Sequence, residues 1–197
     1  MSLYNAEISA GSLMPLESKR ISSLLLSQPD ETAWVNAIEV ENILQKKTAA
    51  TARRQARLIR RRLSNLDSAG WRLIAERESE VANQLLLAAA IKHSQLLGDF
   101  MRNVYAGHQR RLESSIALTD WEDFLTECSH QDPAVSKWSN STKDKLFQVI
   151  VRILVEAKYL ANTKGMTLTP RALHPDVKLY LQAREESYVL DCLERSK

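Results

Sequence analysis

Basic side chains are concentrated in one part of the chain. Residues 42–66 contain eight Lys and Arg residues and no Asp or Glu, which gives this segment a local charge of +8. The basic residues are Lys46, Lys47, Arg53, Arg54, Arg57, Arg60, Arg61 and Arg62. The other 172 residues hold 19 basic and 24 acidic side chains, a net charge of −5, although the whole protein carries only +3. So dense a cluster of cations favours an anionic partner, and the guanidinium group in particular matches the geometry of phosphate.

The same segment has the pattern of an amphipathic helix that begins at Thr48 or Thr51 and runs to about Leu66. At about 100° per residue, its apolar residues fall within about 80° of one another on a helical wheel. These residues are Ala52, Ala56, Ile59, Leu63 and Leu66. The arginines at positions 53, 54, 57, 60 and 61 occupy a separate arc of about 120°. The pattern therefore predicts a helix that is buried on one side and basic on the other.

The residues before this helix complete a helix–turn–helix pattern over residues 30–66. Asp30 can cap the first helix, and apolar residues at helical spacing follow it. The start of the second helix would carry the polar residues Lys46, Lys47, Thr48 and Thr51. At such a position side chains and exposed amides reach phosphates, and the arginines behind them would follow the DNA backbone or pair with guanine. The pattern predicts binding to double-stranded DNA through phosphate contacts, with little dependence on base sequence.

The basic helix is also compatible with partners other than DNA. The arginine face could dock an acidic protein, which would make the chain an interaction adaptor, or it could bind RNA as part of a helical bundle. It could also be ordinary solvated surface. Exposed helices usually mix acids and bases four residues apart, because such pairs stabilise the helix. The lack of any acid over 25 residues therefore argues against ordinary surface and favours a nucleic acid. A homodimer on two half-sites is compatible with this pattern.

A second basic zone, residues 137–164, contains six Lys and Arg residues against two acids. Ser141 or Thr142 can cap a strongly apolar helix in this zone. Lys143 and Lys145 lie near the start of that helix and are further candidate DNA contacts.

The end of this zone has the order of a winged helix. A turn that ends at Gly165 follows the apolar helix, and residues 166–168 have the pattern of a short extended segment. We therefore expect the C-terminal part of the chain to be winged-helix-like.

Composition also divides the chain, because residues 112–136 contain six acids and no basic residue. We expect an N-terminal helical domain over residues 1–112, a linker over 113–118 and the C-terminal domain over 119–197. The predicted fold class is all-α with minor β content, since ten Gly and Pro residues in 197 are too few for a turn-rich β architecture.

The remaining apolar pattern predicts further helices and one turn. They are a helix over 14–27, a turn over 67–70, a long core helix from about 71 to 93, a helix from about 96 to 105 that ends or kinks at Gly107, a helix capped by Thr119, and a last helix from about 176 to 194.

The sequence contains no recognisable catalytic or metal-binding constellation. Cys128 and Cys192 are far apart, the four histidines form no metal-binding pair, and no glycine-rich phosphate loop is present. We therefore expect a non-enzymatic protein without cofactor or metal. The first residues do not resemble a signal peptide, and the longest apolar run has seven residues, against about 20 for a membrane span. The expected location is the cytoplasm, without membrane contact.

Several blocks of the sequence resemble the BrxA family, a small accessory component of bacterial BREX phage-defence systems. These blocks are residues 4–11 (YNAEISAG), 39–44 (EVENIL), 48–54 (TAATARR), 139–146 (SNSTKDKL) and 152–157 (RILVEA). The resemblance spans nearly the whole chain and rests on diffuse helical blocks. It implies an all-helical protein in two globular parts, with a helix–turn–helix and no catalytic activity. It also implies double-stranded DNA binding by the helix that carries the five arginines, beside a methyltransferase, an ATPase and a phosphatase-like partner.

Overall fold

A computed structural model describes residues 2–194 of the protein. Within that range the chain is mostly helical and contains no β-sheet, in agreement with the predicted all-α class. The α-helices are α1 (Pro15–Leu26), α2 (Glu31–Val35), α3 (Ala49–Leu63), α4 (Ser68–Glu76), α5 (Ser79–His93), α6 (Gln95–Asp99), α7 (Ala106–Arg110), α8 (Leu118–Gln131), α9 (Asn140–Glu156), α10 (Pro175–Gln182) and α11 (Ser187–Leu193). Two π-helical segments, Asn36–Val40 and Phe100–Tyr105, continue α2 and α6, and 3-10 turns lie at Glu7–Ala10 and Val135–Lys137.

Helix α5 is the centre of the molecule. Every residue from Val81 to Ile91 is buried, because this stretch is apolar on nearly all sides, with Asn83 and Gln84 as its polar exceptions, and other helices surround it. The prediction of a central core helix is confirmed, but its predicted length was wrong. The backbone is extended at Arg77, so α4 and α5 are separate helices instead of one helix over residues 71–93.

The predicted turn over residues 67–70 is the first turn of α4. The Asp67 carboxylate caps this helix by accepting a hydrogen bond from the Gly70 amide at 3.0 Å. Gly70 lies inside helix α4. A glycine is needed at this position because Tyr180 of α10 packs directly against its backbone. A Cβ atom at this position would lie 2.5 Å from the Tyr180 hydroxyl oxygen, which is closer than any side chain tolerates. This glycine serves close helix packing, and its presence misled the sequence-based prediction.

The N-terminal helices form largely as the sequence predicts. Helix α1 coincides with the predicted helix over residues 14–27. Asp30 caps α2, with its carboxylate accepting from the Ala33 amide at 2.7 Å. Of the two candidate caps of α3, Thr48 has this role, because its hydroxyl accepts from the Thr51 amide at 3.2 Å.

Residues 95–110 form a nearly continuous helix with a π-helical middle. Gly107 lies within α7 and is buried, so the helix does not end there, which was one of the two predicted outcomes. Its φ is not positive, and the backbone therefore stays helical through it.

The helices of the C-terminal part begin a little earlier than predicted. Helix α8 begins after Ala117, whose amide donates to the Asp120 carboxylate at 2.6 Å, so Thr119 is not the cap. Helix α9 is capped by Ser139 and not by Ser141 or Thr142, since the Thr142 amide donates to the Ser139 hydroxyl at 3.2 Å.

Short extended segments lie before α8 and after α9. Residues Ser115 and Thr167 form one antiparallel bridge, and Leu160 and Leu168 form a second. The predicted extended segment over residues 166–168 is therefore confirmed at Thr167 and Leu168, which pair with a segment on each side, whereas Met166 has a φ of +45° and is not extended.

The last predicted helix is two helices, α10 and α11. The chain turns between them at Glu185, whose φ is +55°. The predicted C-terminal domain ends at residue 197, and its last three residues lie outside the described part of the chain.

The N-terminal residues contact the C-terminal half of the chain closely. The Glu156 carboxylate of α9 accepts hydrogen bonds from the Ser12 hydroxyl at 2.8 Å and from the Leu13 amide at 2.7 Å. The buried apolar residues, from Tyr4 to Leu193, form one continuous core. The division into two domains with a linker over residues 113–118 stays a prediction.

Candidate nucleic-acid interface

Helix α3 presents its arginines to solvent, as its apolar periodicity predicts. The predicted inner residues, from Ala52 to Leu66, are all buried. The arginines at positions 53, 54, 57, 60 and 61 are all exposed. At about 100° per residue they form two rows about 80° apart. We call Arg53, Arg57 and Arg60 the α2 row and Arg54 and Arg61 the N-terminal row.

The α2 row faces two acids of the preceding helix. Arg53 pairs with Glu39 at 3.2 Å, and Arg60 pairs with Glu31 at 3.6 Å. The Arg60 guanidinium also lies over the Trp34 ring, 4.3 Å from its centroid, in a cation–π contact. Both helices together enclose a shallow groove of about 180 Å³.

Arg57 lies in the middle of this row and differs from its neighbours. Within residues 2–194 it has no hydrogen bond or ion pair, although the arginines on both sides of it are paired. Its guanidinium is therefore available to an external anion without the loss of an intramolecular contact.

The N-terminal row contacts the first residues of the chain. Arg54 donates to the Ala10 carbonyl oxygen at 3.1 Å, and Arg61 pairs with Glu7 at 2.5 Å. The acid-free segment of the sequence is thus flanked in space by Glu7, Glu31 and Glu39. Sequence reasoning missed these acids because they are distant along the chain or lie on a different helix.

The start of α3 offers fewer free groups than predicted. Lys46 is partly buried and pairs with Glu17 of α1 at 2.5 Å. Burial alone would raise the pKa of Glu17, but the hydrogen bond from Lys46 holds that pKa below its usual value. The Thr48 hydroxyl caps the helix and also donates to the Thr51 hydroxyl at 2.9 Å. Lys47 is exposed and has no partner in the described part of the chain.

Arg62 belongs to the core and not to the exposed basic face. Its guanidinium donates to the carbonyl oxygens of Ser12 at 2.5 Å and Gly11 at 2.7 Å, and the residue is only 4% exposed. Burial lowers the pKa of Arg62 to about 10, while the nearby Glu156 carboxylate opposes this shift. Arg62 contributes to the local charge of +8, but its role is to fix α3 to the N-terminal segment.

The two lysines of the second basic zone lie on different sides of α9. Lys145 is exposed and belongs to an exposed stripe at helical spacing, which we call the α9 stripe. It consists of Ser141, Lys145, Gln148 and Arg152. Lys143 is partly buried and lines a groove between α8 and α9. The structure therefore separates the two lysines that the sequence places side by side.

The side chains that could serve as a nucleophile or as metal ligands do not form a reactive site in the described part of the chain. Burial raises the pKa of the Cys128 thiol to about 12, so this side chain stays protonated and is a poor nucleophile. Residues 2–194 contain no cluster of His, Cys, Asp and Glu that could hold a metal ion. Over the same residues, no helix combines the length and the apolar character of a membrane span.

Comparison with known proteins finds relatives that match this chain over nearly its whole length. The family model described as BrxA matches residues 2–185. The BREX protein BrxA of Paramagnetospirillum magneticum is 38% identical over 193 residues, which cover 98% of this chain and 97% of that protein. The BREX protein BrxA of Escherichia coli strain HS is 32% identical, over 95% of this chain and 88% of its own length. The BREX protein BrxA of Bacillus cereus is 30% identical, over 97% of this chain and 96% of its own length.

A solved structure has the same fold. The crystal structure of an uncharacterized protein from Magnetospirillum magneticum superposes with a TM-score of 0.89 at 37% sequence identity. The superposition covers 98% of this chain and all of that protein. Since the family model and these relatives match over nearly the whole length, the chain belongs to the BrxA family.

Proposed function

We propose that this protein is a non-enzymatic, double-stranded DNA-binding component of a BREX phage-defence system. The relatives that carry the name BREX protein BrxA support the assignment to such a system. The observation that carries DNA binding is the exposed arginine face of α3, at whose centre Arg57 has no hydrogen-bond or ion-pair partner among residues 2–194.

The dimensions of α3 suit a duplex. With 15 residues the helix is about 22 Å long at about 1.5 Å per residue, and the DNA major groove, about 12 Å wide, admits one α-helix. Two rows of arginines about 80° apart on one helix would lie toward two lines of phosphates. The helix also packs against the π-helical end of α2, which supports the helix–turn–helix proposal, although the connection between them, residues 41–48, is longer than the usual turn of three or four residues.

The order of elements in the C-terminal half supports a winged-helix proposal. Extended residues around Ser115 precede α8 and α9, and a hairpin around Asn162 follows them. The Thr167 segment pairs antiparallel with both the Ser115 segment and the Leu160 segment through one bridge each, and this pairing supports the winged-helix proposal. In this proposal α9 is a second DNA-reading helix.

The α9 stripe has side chains suited to that task. Lys145 and Arg152 can neutralise phosphates, and Gln148 can pair with adenine in the major groove. Lys164 lies in the exposed turn of the hairpin, where a wing contacts the DNA backbone. Among the predicted contacts, Lys145 therefore fits this surface better than Lys143.

Salt dependence tests the proposal directly. If four to six phosphates are neutralised, the slope of log K against log salt concentration for duplex DNA should be about −3.6 to −5.4. Mobility-shift or anisotropy titrations over a salt range, with duplex, single-stranded DNA and RNA of one sequence, measure it. A slope near zero would contradict the proposal, and a preference for RNA or for the single strand would favour another nucleic-acid function.

The acids beside the α2 row should weaken DNA binding. Glu31 pairs with Arg60 and Glu39 pairs with Arg53, so a phosphate has to displace these carboxylates before it can bind the arginines. Replacing both, as Glu31→Gln with Glu39→Gln, should raise the affinity for duplex DNA about threefold to tenfold at low salt, because each exposed pair is worth up to about 1 kcal/mol.

The matched control is Glu76→Gln with Glu127→Gln, which makes the same change of net charge on α4 and α8. Both of these acids are exposed and lie on helices other than α2 and α3. Equal affinities of the two double variants would show that the ion pairs do not compete with DNA.

A further inference from the structure

The N-terminal segment, residues 7–14, lies between α3 and α9. On one side it contacts both arginines of the N-terminal row, through the Glu7 carboxylate and the Ala10 carbonyl oxygen. On the other side it contacts the last turn of α9, where the Glu156 carboxylate accepts a hydrogen bond from the Ser12 hydroxyl at 2.8 Å. The 3-10 turn Glu7–Ala10 also packs against α9 directly. One short segment therefore joins the two helices that carry the exposed basic residues.

The α9 stripe ends beside this segment. Arg152, its last residue, precedes Glu156 by about one helical turn, and the two side chains are only about 40° apart on the helical wheel. Arg152 and Lys145 are exposed, and neither has a hydrogen-bond or ion-pair partner among residues 2–194. Two backbone amides of the N-terminal segment donate to the Glu156 carboxylate, and the cation of Arg62 lies close to it. These contacts reduce the repulsion between Glu156 and a phosphate near Arg152.

The surface of the N-terminal segment between the two helices is small and neutral. Ala10 is exposed and Ser9 is partly exposed. Glu7 is the only acid among residues 7–14, and its carboxylate is paired with Arg61. A phosphate backbone can therefore pass from the N-terminal row to the α9 stripe without meeting an unpaired acid of this segment.

We propose that α3 and α9 contact one and the same DNA duplex, on either side of the N-terminal segment. This inference rests on the proposed DNA binding and adds the arrangement of the contacts. The two helices are parts of one composite interface and not independent sites for two DNA molecules. Arg152 and the N-terminal row hold the phosphates on the two sides of Ala10.

The test measures the affinity of the full chain for one labelled duplex of about two helical turns, about 20 base pairs. The α3 variant is Arg57→Glu, and the α9 variant is Lys145→Glu with Arg152→Glu. Each variant should weaken binding by at least about tenfold, and the losses should multiply in the combined variant, because separate contacts to one ligand add in free energy. The α9 variant should also reduce the magnitude of the salt slope by about 1.8, since it loses two phosphate contacts at about 0.9 each.

Two separate binding sites would give a different result. If α9 bound a second duplex, or none, at least one of the two variants would leave the affinity for the labelled duplex nearly unchanged, and the proposal would be overturned. The control for net charge is Arg72→Glu with Arg110→Glu, which alters exposed, unpaired arginines of the described chain on α4 and α7. A loss in the α3 variant alone would remove this inference and leave the proposed function in place. No duplex binding by the unaltered protein would overturn both.

A substitution at Ala10 tests whether DNA crosses the N-terminal segment. Ala10→Lys adds a cation between the N-terminal row and the α9 stripe, and Ala10→Gln, with a neutral side chain, is its matched control. The Ala10 side chain is a methyl group exposed to solvent, so both variants should keep the melting temperature of the unaltered protein. One added phosphate contact should raise the affinity for duplex DNA about threefold to tenfold and steepen the salt slope by about 0.9. Equal affinities of the two variants would show that the duplex does not cross this segment, which contradicts the proposal.

Discussion

Charge reversal of Lys47 and Arg57 together should lower the affinity for duplex DNA by at least about 100-fold, because each lost charge-assisted contact contributes about 1.5–3 kcal/mol. Both side chains are exposed, and neither has a hydrogen-bond or ion-pair partner within residues 2–194. The double variant Lys47→Glu with Arg57→Glu therefore removes no contact that stabilises the fold. Its helical content and melting temperature should match those of the unaltered protein.

The control for net charge is Arg72→Glu with Arg110→Glu. These arginines lie on α4 and α7, are exposed, and have no partner in the described part of the chain. The control changes the total charge equally, so it should lower affinity only by the long-range effect of net charge, about threefold or less at physiological salt. Titrations of both variants at one salt concentration make the comparison. If the Lys47 and Arg57 variant retained its affinity, the interface would lie elsewhere on the protein.

Truncation of Arg62 should affect folding much more than any other arginine of α3. In Arg62→Met the carbonyl oxygens of Gly11 and Ser12 lose their charged donor, and Glu156 loses its neighbouring cation. Removing one member of such a buried polar network costs about 3–5 kcal/mol. The free energy of unfolding, measured with urea, should fall by that amount.

The adjacent arginine is the matched control for this prediction. Arg61 has the same side chain one residue away, but it is exposed and pairs with Glu7 at the surface. Arg61→Met should therefore change stability by less than about 1 kcal/mol. Equal losses in the two variants would mean that Arg62 does not fix α3 to the N-terminal segment.

Local signals in the sequence were sufficient for α3 but not for α4. Apolar residues three and four apart identified the inner face of α3, and a threonine cap marked its start, because both signals lie within the helix itself. Gly70 misled the prediction for the opposite reason. A glycine indicates a turn unless a distant residue needs the space, and here Tyr180, more than 100 positions away, packs against it.

The candidate site was predictable in its residue types and less so in its electrostatics. All five predicted arginines of α3 are exposed, and helical periodicity alone was enough to show this. The sequence did not show which of these arginines form ion pairs, because the acids Glu7, Glu31 and Glu39 reach α3 from other elements. Lys46 is paired and Lys143 is partly buried for the same reason: their neighbours come from other parts of the fold.

The sequence by itself determined that this protein is helical and that one helix carries a dense basic face. These properties depend on residue order over a few helical turns, which local backbone geometry translates directly into structure. Only the tertiary structure decided how that charge is distributed. It buried Arg62 in the core, paired four of the seven remaining cations with acids from other elements, and left Lys47 and Arg57 without a partner among residues 2–194. Coulomb interactions depend on distance in space, and residues far apart in sequence supply most of the partners.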